Sequence, residues 1–236
     1  MIEIVSDLHT HTLHSHGSGT VEDNVKAAIA KGLKQIAISD HGVGHLFFNI
    51  KNLDAYFADI HAMKEKYKNE IEVLSGVELN ILAHDGTIDL PPQYADLFDI
   101  KLLGYHKLVR YRHNALHFLL PKSHSEKAIL YNTQTYKNVM DKNHIDIITH
   151  IGYGLPADKI EVAKYAAKKG VALEINAKHP EFSIEELKEC AKAGVKFVIG
   201  SDAHSAERVG DFKNALLKAQ AANIPISQII NAKTEA

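Results

Sequence analysis

The chain has 236 residues, a length that suits one α/β domain, and its formal net charge of −2 provides no overall field for nucleic acid or membrane binding. Apolar residues make up 45% and charged residues 24%, the balance of an ordinary globular protein. One cysteine, Cys190, excludes an internal disulfide framework, and no signal peptide or membrane-length apolar run is evident. We therefore expect a cytoplasmic protein with no membrane partner and no long nucleic acid partner. The sequence leaves the oligomeric state open.

Short apolar runs alternate with longer amphipathic segments along the whole chain. Strands are predicted over 2–6, 35–39, 72–79, 100–105, 146–150, 171–176 and 195–201, and helices over 21–32, 52–68, 127–141, 157–169, 183–194 and 209–222. Thr20 and the Ser183–Glu186 pair are typical of helix starts. The alternation predicts a single domain over 1–236 with a parallel sheet, either an open doubly wound sheet or a closed barrel. No glycine-rich dinucleotide turn follows the first strand, which disfavours the open sheet.

Histidine is the most unusual residue of the composition, with 16 copies, and its positions are more informative than its number. Each predicted strand ends in polar residues, most of them able to bind metal: His9 with His11, His41, Glu78, His106, His150, Asn176, and Asp202 with His204. In parallel α/β folds the carboxyl edge of the sheet carries the active site. The placement therefore predicts one site built from all seven strands.

The residue types and their spacing indicate a metal centre. His9 and His11 are two residues apart, so on extended backbone both side chains project to one side, and Asp202 and His204 are expected to repeat this geometry. Imidazole and carboxylate without thiolate suit Zn²⁺, Mn²⁺ or Fe²⁺. The set exceeds what one ion needs, which indicates two or three ions.

Positively charged residues near the same edge are candidates for contacts with an anionic substrate. The segment 107–126 lacks clear periodicity and contains Lys107, Arg110, Arg112 and Lys122. It is either a surface excursion or a lid over the site. Lys178, His179 and Arg208 follow the sixth and seventh strands and are further candidates for phosphate contacts.

The motifs DLHTH, ISDH, GVELN, GYH, THIG and GSDAHS, in this order, resemble the PHP family, named for polymerase and histidinol phosphatase. Within that family the chain is most similar to the compact YcdX-type phosphatases. The resemblance implies a distorted TIM-like (β/α)7 barrel that holds three divalent metals, with Zn²⁺ expected first and Mn²⁺ or Fe²⁺ as alternatives.

The resemblance also assigns the ligands to the three metals. The first metal takes His9, His11, Glu78 and Asp202, the second takes His16, His41 and His204, and the third takes His106 and His150 with Glu78 as a bridge. For the second metal, alignment on Thr20 favours His16 over His14, although the loop is one residue shorter than the family pattern. Asp7 and Asp40 are expected to orient the imidazoles.

The implied function is phosphomonoester hydrolysis of a small phosphorylated metabolite by a hydroxide that bridges the metals. Asp202, Glu78 and His204 are the expected catalytic residues. Alternatives are a phosphodiesterase or nuclease acting on short nucleotides, an amidohydrolase-type deaminase, and a non-catalytic metal-binding module. The presence of all nine ligands argues against the last of these.

Overall fold

Seven parallel strands, hydrogen-bonded in chain order, form the centre of the computed structural model, which describes residues 2–112, 115–119 and 123–233. The strands are β1 (Ser6–Thr10), β2 (Gln35–Ile38), β3 (Glu72–Asn80), β4 (Ile100–Gly104), β5 (Ile147–Ile148), β6 (Ala172–Asn176) and β7 (Phe197–Gly200). Thr10 forms a parallel bridge with Ala203, just after β7, and the N–H of His11 donates to the carbonyl of Ala203 at 2.8 Å. These contacts nearly close the sheet, so the predicted TIM-like barrel is confirmed.

The helices cover the outside of the barrel. They are α1 (Val21–Ala30), α2 (Leu53–Tyr67), α3 (Ala115–Leu119), α4 (Glu126–Lys142), α5 (Lys159–Lys169), α6 (Ile184–Lys192) and α7 (Lys213–Ala221). The predicted caps are confirmed: Thr20 accepts from the N–H of Asp23, and Ser183 and Glu186 form a capping box. Within the described ranges, no helix combines the length and the apolar character that a membrane crossing requires.

The predicted position of the first strand was wrong, because it starts at residue 6 and not at residue 2, and the last helix starts at residue 213 and not at 209. The apolar run IEIVS pairs instead with the end of the chain: Ile4 forms an antiparallel bridge with Ala232, and the N–H of Val5 donates to the carbonyl of Asn231. The observed β1 contains the buried polar residues Asp7 and His9, so a pattern of apolar residues does not identify it as a strand. The other six strands begin within two residues of their predicted starts.

A bulge in β1 turns a histidine into the barrel. Between Asp7 and Thr10, β1 advances three residues while β2 advances two. Leu8 packs in the apolar interior of the barrel, to which every strand contributes and, among the described residues, no helix does. The members are Leu8, Ala37, Leu74, Ile100, Leu102, Ile147, Ala172 and Val198. The extra residue lets His9, the next in the chain, also point inward, where its ring contacts Glu174.

Candidate metal centre

The carboxylate of Glu78, at the end of β3, lies among the imidazoles of four histidines. Its Oε2 atom is 2.9 Å from Nδ1 of His41 and 3.4 Å from Nε2 of both His9 and His106. Its Oε1 atom is 2.9 Å from Nε2 of His150. These histidines lie in, or directly after, four different strands. The Glu78 side chain is 1% exposed, so the barrel places a buried negative charge at the centre of the predicted ligand set.

Asp202, which follows β7, supplies the second carboxylate of the cluster. Its Oδ1 atom is 3.4 Å from Nε2 of His11 and 3.3 Å from Nδ1 of His204. The backbone of Asp202 is left-handed, with φ of +51°, so the predicted extended geometry of Asp202 and His204 was wrong. Both side chains reach the cluster from a turned backbone.

The potential ligands form one continuous cluster. In the part of the chain that the structure describes, three groups bring ligand atoms within 4.8 Å of one another: His9, His11 and Asp202; His11, His41 and His204; and His41, Glu78 and His106. The first and second groups share His11, and the second and third share His41. The cluster therefore has the density of ligand atoms that a site for more than one ion needs.

The spacing of these atoms fits the coordination shell of a divalent metal. With metal–nitrogen bonds of about 2.0–2.1 Å, two ligands of a tetrahedral ion lie about 3.3 Å apart. Nε2 of His9 is 3.1 Å from Nε2 of His11, and Nε2 of His11 is 3.4 Å from Oδ1 of Asp202. Nε2 of His9 is also 3.4 Å from Oε2 of Glu78. These atoms are separated as ligands around a common ion would be.

Several of the predicted ligand residues have a buried polar atom that lacks the hydrogen bond such groups usually have. In the described part of the chain, five predicted ligands each have a buried nitrogen or oxygen without a hydrogen-bond partner; they are His11, His41, Glu78, His150 and Asp202. Nδ1 of His41 and Oε2 of Glu78 are 2.9 Å apart but do not align as a hydrogen bond. Because a buried unpaired group is costly, the residues present fit a bound cation.

The protonation states of His16, His41 and Glu78 suit metal binding. In His9, by contrast, the nearby carboxylates outweigh burial and hold the pKa well above its usual range. Burial lowers the pKa of His41 to about 3 and that of His16 to about 4, so both imidazoles are neutral at pH 7. Burial raises the pKa of Glu78, but His106 and His9 outweigh it and hold that pKa well below its usual range. Neutral imidazoles and ionised carboxylates are the forms that bind divalent ions.

Two side chains outside the predicted site residues orient the imidazoles. Oε1 of Glu174, in β6, is 2.7 Å from Nδ1 of His9, and Oδ1 of Asn80 is 2.7 Å from Nδ1 of His106. Each contact leaves Nε2 of the histidine facing Glu78. The signal for Glu174 was an acidic residue inside the apolar run VALEIN. Asn80 is the last residue of GVELN and gave no signal of its own.

The prediction that Asp7 and Asp40 orient imidazoles was wrong. Asp7 accepts from the hydroxyl of Ser201 at 2.5 Å and from the N–H of Gly210 at 2.8 Å. Asp40 accepts from the N–H and the hydroxyl of Thr12, at 2.8 and 2.6 Å. Both carboxylates are fully buried, and they fix the backbone of the loops that carry the ligands.

The structure separates the two histidines between which the sequence left a choice. The ring of His16 stacks on His41 with a centroid distance of 4.9 Å and lies 4.2 Å from the ring of His204. Nε2 of His14 is 2.9 Å from a carboxylate oxygen of Asp59 at the surface. His16 therefore lies beside the cluster, and His14 points away from it.

A cavity of about 490 Å³ opens above the cluster, and it receives only some of the predicted substrate-contacting residues. Lys107, Lys178 and His179 line it. Arg110, Arg112 and Arg208 do not line the cavity, so their contact with substrate stays a prediction. Arg110 and Arg112 are exposed, and the guanidinium of Arg208 is 2.7 Å from the carboxylate of Asp211.

The segment 107–126 begins at the mouth of this cavity. The N–H of Leu46 donates to the carbonyl of Leu108, and the N–H of Arg110 donates to the carbonyl of Gly44, both at 2.9 Å. The start of the segment is thus paired with the loop that follows β2. Lys122, with residues 113–114 and 120–121, lies outside the described residues, so the lid remains a prediction.

The fold and the cluster define the class of the protein, an α/β barrel with a candidate metal centre at its carboxyl edge. Sequence comparison defines its family. The model of the PHP domain matches residues 7–178, which is most of the chain. A protein named probable phosphatase from Shewanella piezotolerans is 32% identical over 250 residues, which cover 100% of this chain and 92% of that protein. The chain belongs to the PHP family, and the predicted family resemblance is confirmed.

Two further comparisons agree with this assignment. A protein named probable phosphatase from Acetivibrio thermocellus is 29% identical over 248 residues, which cover 99% of this chain and 93% of that protein. Among solved structures, histidinol phosphate phosphatase from Lactococcus lactis, complexed with zinc, L-histidinol and phosphate, has a TM-score of 0.67. Its sequence identity is 20%, with coverage of 93% of this chain and 94% of that one, so this likeness supports the fold.

Proposed function

We propose that this chain is a single-domain, metal-dependent phosphomonoesterase that hydrolyses a small phosphorylated metabolite. The observation that carries the proposal is the buried carboxylate of Glu78, held among imidazoles below an open cavity. Relatives named probable phosphatases, and the zinc and phosphate in the L. lactis structure of the same fold, support a phosphoester hydrolase. The single sheet from Ser6 to Gly200 supports one domain.

The proposed cofactor is a set of three divalent ions, with Zn²⁺ as the first choice. The ligands offered are imidazoles and carboxylates, a set that Zn²⁺, Mn²⁺ and Fe²⁺ all accept. Ions bound there would polarise the phosphoryl oxygens and lower the pKa of a bound water to about 7. We assign His9, His11, His16, His41, Glu78, His106, His150, Asp202 and His204 as the ligands.

We assign the catalytic roles to Glu78, Asp202 and His204, and a phosphate-binding role to Lys178. The carboxylates of Glu78 and Asp202 would hold the ions beneath the cavity, and the ring of His204 lines the cavity with 21% of its side chain exposed. Nζ of Lys178 is 3.0 Å from Nδ1 of His204 and 3.5 Å from Oδ1 of Asp202. This ammonium group is positioned to hold a phosphoryl oxygen against the cluster.

Metal removal tests the proposal. Protein purified without chelator should contain at least two transition-metal ions per chain and should hydrolyse an aryl phosphate. Chelation should abolish the activity and lower Tm, because ions that bind only the folded state stabilise it. Fewer than two ions per chain, or activity that survives chelation, would contradict the proposal. Elemental analysis, a phosphate-release assay and a thermal melt measure the three quantities.

His16 and His14 provide a matched pair of substitutions in one loop. His16→Ala should lower the metal content and reduce kcat/KM by at least about 100-fold, since it removes an imidazole that lies 4.2 Å from His204. His14→Ala should retain full metal content and activity, because His14 pairs with Asp59 at the surface. Loss of metal in the His14 variant alone would reverse the assignment of this ligand.

A further inference from the structure

Apolar side chains surround the mouth of the cavity above the metal cluster. Phe48, Leu108 and Tyr153 line it and are 45%, 47% and 38% exposed. Large apolar side chains exposed together beside a cavity are typical of ligand-binding surfaces, because a ligand that covers them removes apolar area from water. The apolar mouth lies where the leaving group of a phosphomonoester bound at the cluster would be held.

Phe48 is held in place on the β2 side of the mouth. Its ring centroid lies 4.7 Å from that of His16 and 5.2 Å from that of His45. Its N–H donates to Nδ1 of His45 at 3.0 Å, and His45 itself is buried. The phenyl ring therefore has a fixed position directly beside the metal cluster.

Tyr153 provides a second ring on the β5 side. It follows β5 in the chain, and its ring centroid lies 4.0 Å from that of His179 and 5.6 Å from that of His150. In a seven-stranded barrel whose strands are in chain order, β2 and β5 are three strands apart, so their loops face each other across the mouth. Phe48 and Tyr153 thus form two apolar walls above one cluster.

The described lining offers little to a leaving group rich in hydroxyls. It contains no Ser, Thr, Asn or Gln, and its two carboxylates, Glu78 and Asp202, lie in the metal cluster. The hydroxyl of Tyr105 donates to the carbonyl of Phe118. A polyol would have to share the imidazole and ammonium groups of the metal and phosphate site and would leave the apolar mouth uncovered, and an amino alcohol would meet Lys107 and Lys178 without a free carboxylate.

We propose that the site selects phosphomonoesters whose leaving group is an uncharged apolar ring bound between Phe48 and Tyr153. Lys178 would hold the phosphate against the cluster while the ring covers the apolar walls. A cavity of about 490 Å³ accommodates a ring and a phosphate group. This substrate class rests on the proposed phosphomonoesterase function.

Benzyl phosphate and glycerol 1-phosphate test the proposal, since both are primary alkyl esters and differ in the ring. With metal-replete protein, kcat/KM for benzyl phosphate should exceed that for glycerol 1-phosphate by roughly tenfold or more. Phe48→Ala should reduce this ratio at least about fivefold. Leu217→Ala, which removes an exposed apolar side chain on α7, away from the cavity lining, should leave the ratio unchanged. Thermal melts verify that each variant is folded.

The outcomes separate the substrate class from the reaction. The apolar-ring proposal would be overturned if the ratio of kcat/KM for the two esters were near one in the unmodified protein, or if Phe48→Ala did not change it. Either result would leave the phosphomonoesterase proposal intact. If protein with full metal content hydrolysed neither these two esters nor any other phosphomonoester, the phosphomonoesterase proposal would be overturned. The apolar-ring proposal would fall with it.

Discussion

The Glu78→Gln protein is expected to fold as the same barrel but to lose bound metal and about 1,000-fold or more in kcat/KM. Glu78 places two anionic oxygens within 3.4 Å of nitrogens on four histidines. A glutamine of the same shape is neutral and turns one oxygen into an N–H donor, which cannot bind a cation. The loss of about 4 kcal/mol or more of charge stabilisation corresponds to three or more powers of ten in rate.

Glu72→Gln is the matched control, because Glu72 begins the same strand at its exposed end and contacts Gln35. That protein should keep its metal and its activity. Elemental analysis and kcat/KM for an aryl phosphate are the measurements, and circular dichroism establishes that the barrel is intact. Full metal content with normal kcat/KM in Glu78→Gln would remove Glu78 from the centre of the site.

The site could be located from the sequence because all seven strands are parallel. In such a sheet every strand ends at the same edge, so His106 after β4 and His150 after β5 had to be neighbours of Glu78 after β3. The observed distances to Glu78, 3.4 Å from His106 and 2.9 Å from His150, agree with this expectation. No pattern of local structure would have brought together residues so far apart in the chain.

Contacts across the barrel could not be predicted in the same way. His9 lies in β1 and Glu174 in β6, strands that are not neighbours in the sheet, and their contact depends on the closure of the barrel and on the bulge in β1. The apolar pattern of the first residues also misplaced β1, since the buried face of the true strand is polar. The roles of Asp7 and Asp40 were wrong for a related reason: a carboxylate beside a ligand in sequence can serve the backbone of a neighbouring loop.

Glu174→Gln is expected to weaken metal binding by roughly 10- to 100-fold while the barrel remains folded. Oε1 of Glu174 accepts from Nδ1 of His9, and Oε2 accepts from the N–H of His150 at 3.0 Å and from Nδ2 of Asn176 at 2.8 Å. Donors therefore face both oxygens. Glutamine has one oxygen and one NH2 group, so in either orientation a donor would face a donor.

The carboxylate is also closely enclosed, because a Cβ atom at Gly200 would overlap Oε1 of Glu174, so glutamine has no room to swing aside. The ring of His9 would then lose the contact that directs its Nε2 atom to Glu78. Metal titration of the chelated protein should show the weaker affinity, and excess metal should restore most of kcat, since Glu174 acts through His9 and not on the substrate. Glu70→Gln, at an exposed position after α2, is the control for the substitution itself. Unchanged metal affinity in Glu174→Gln would show that His9 keeps its orientation without this carboxylate.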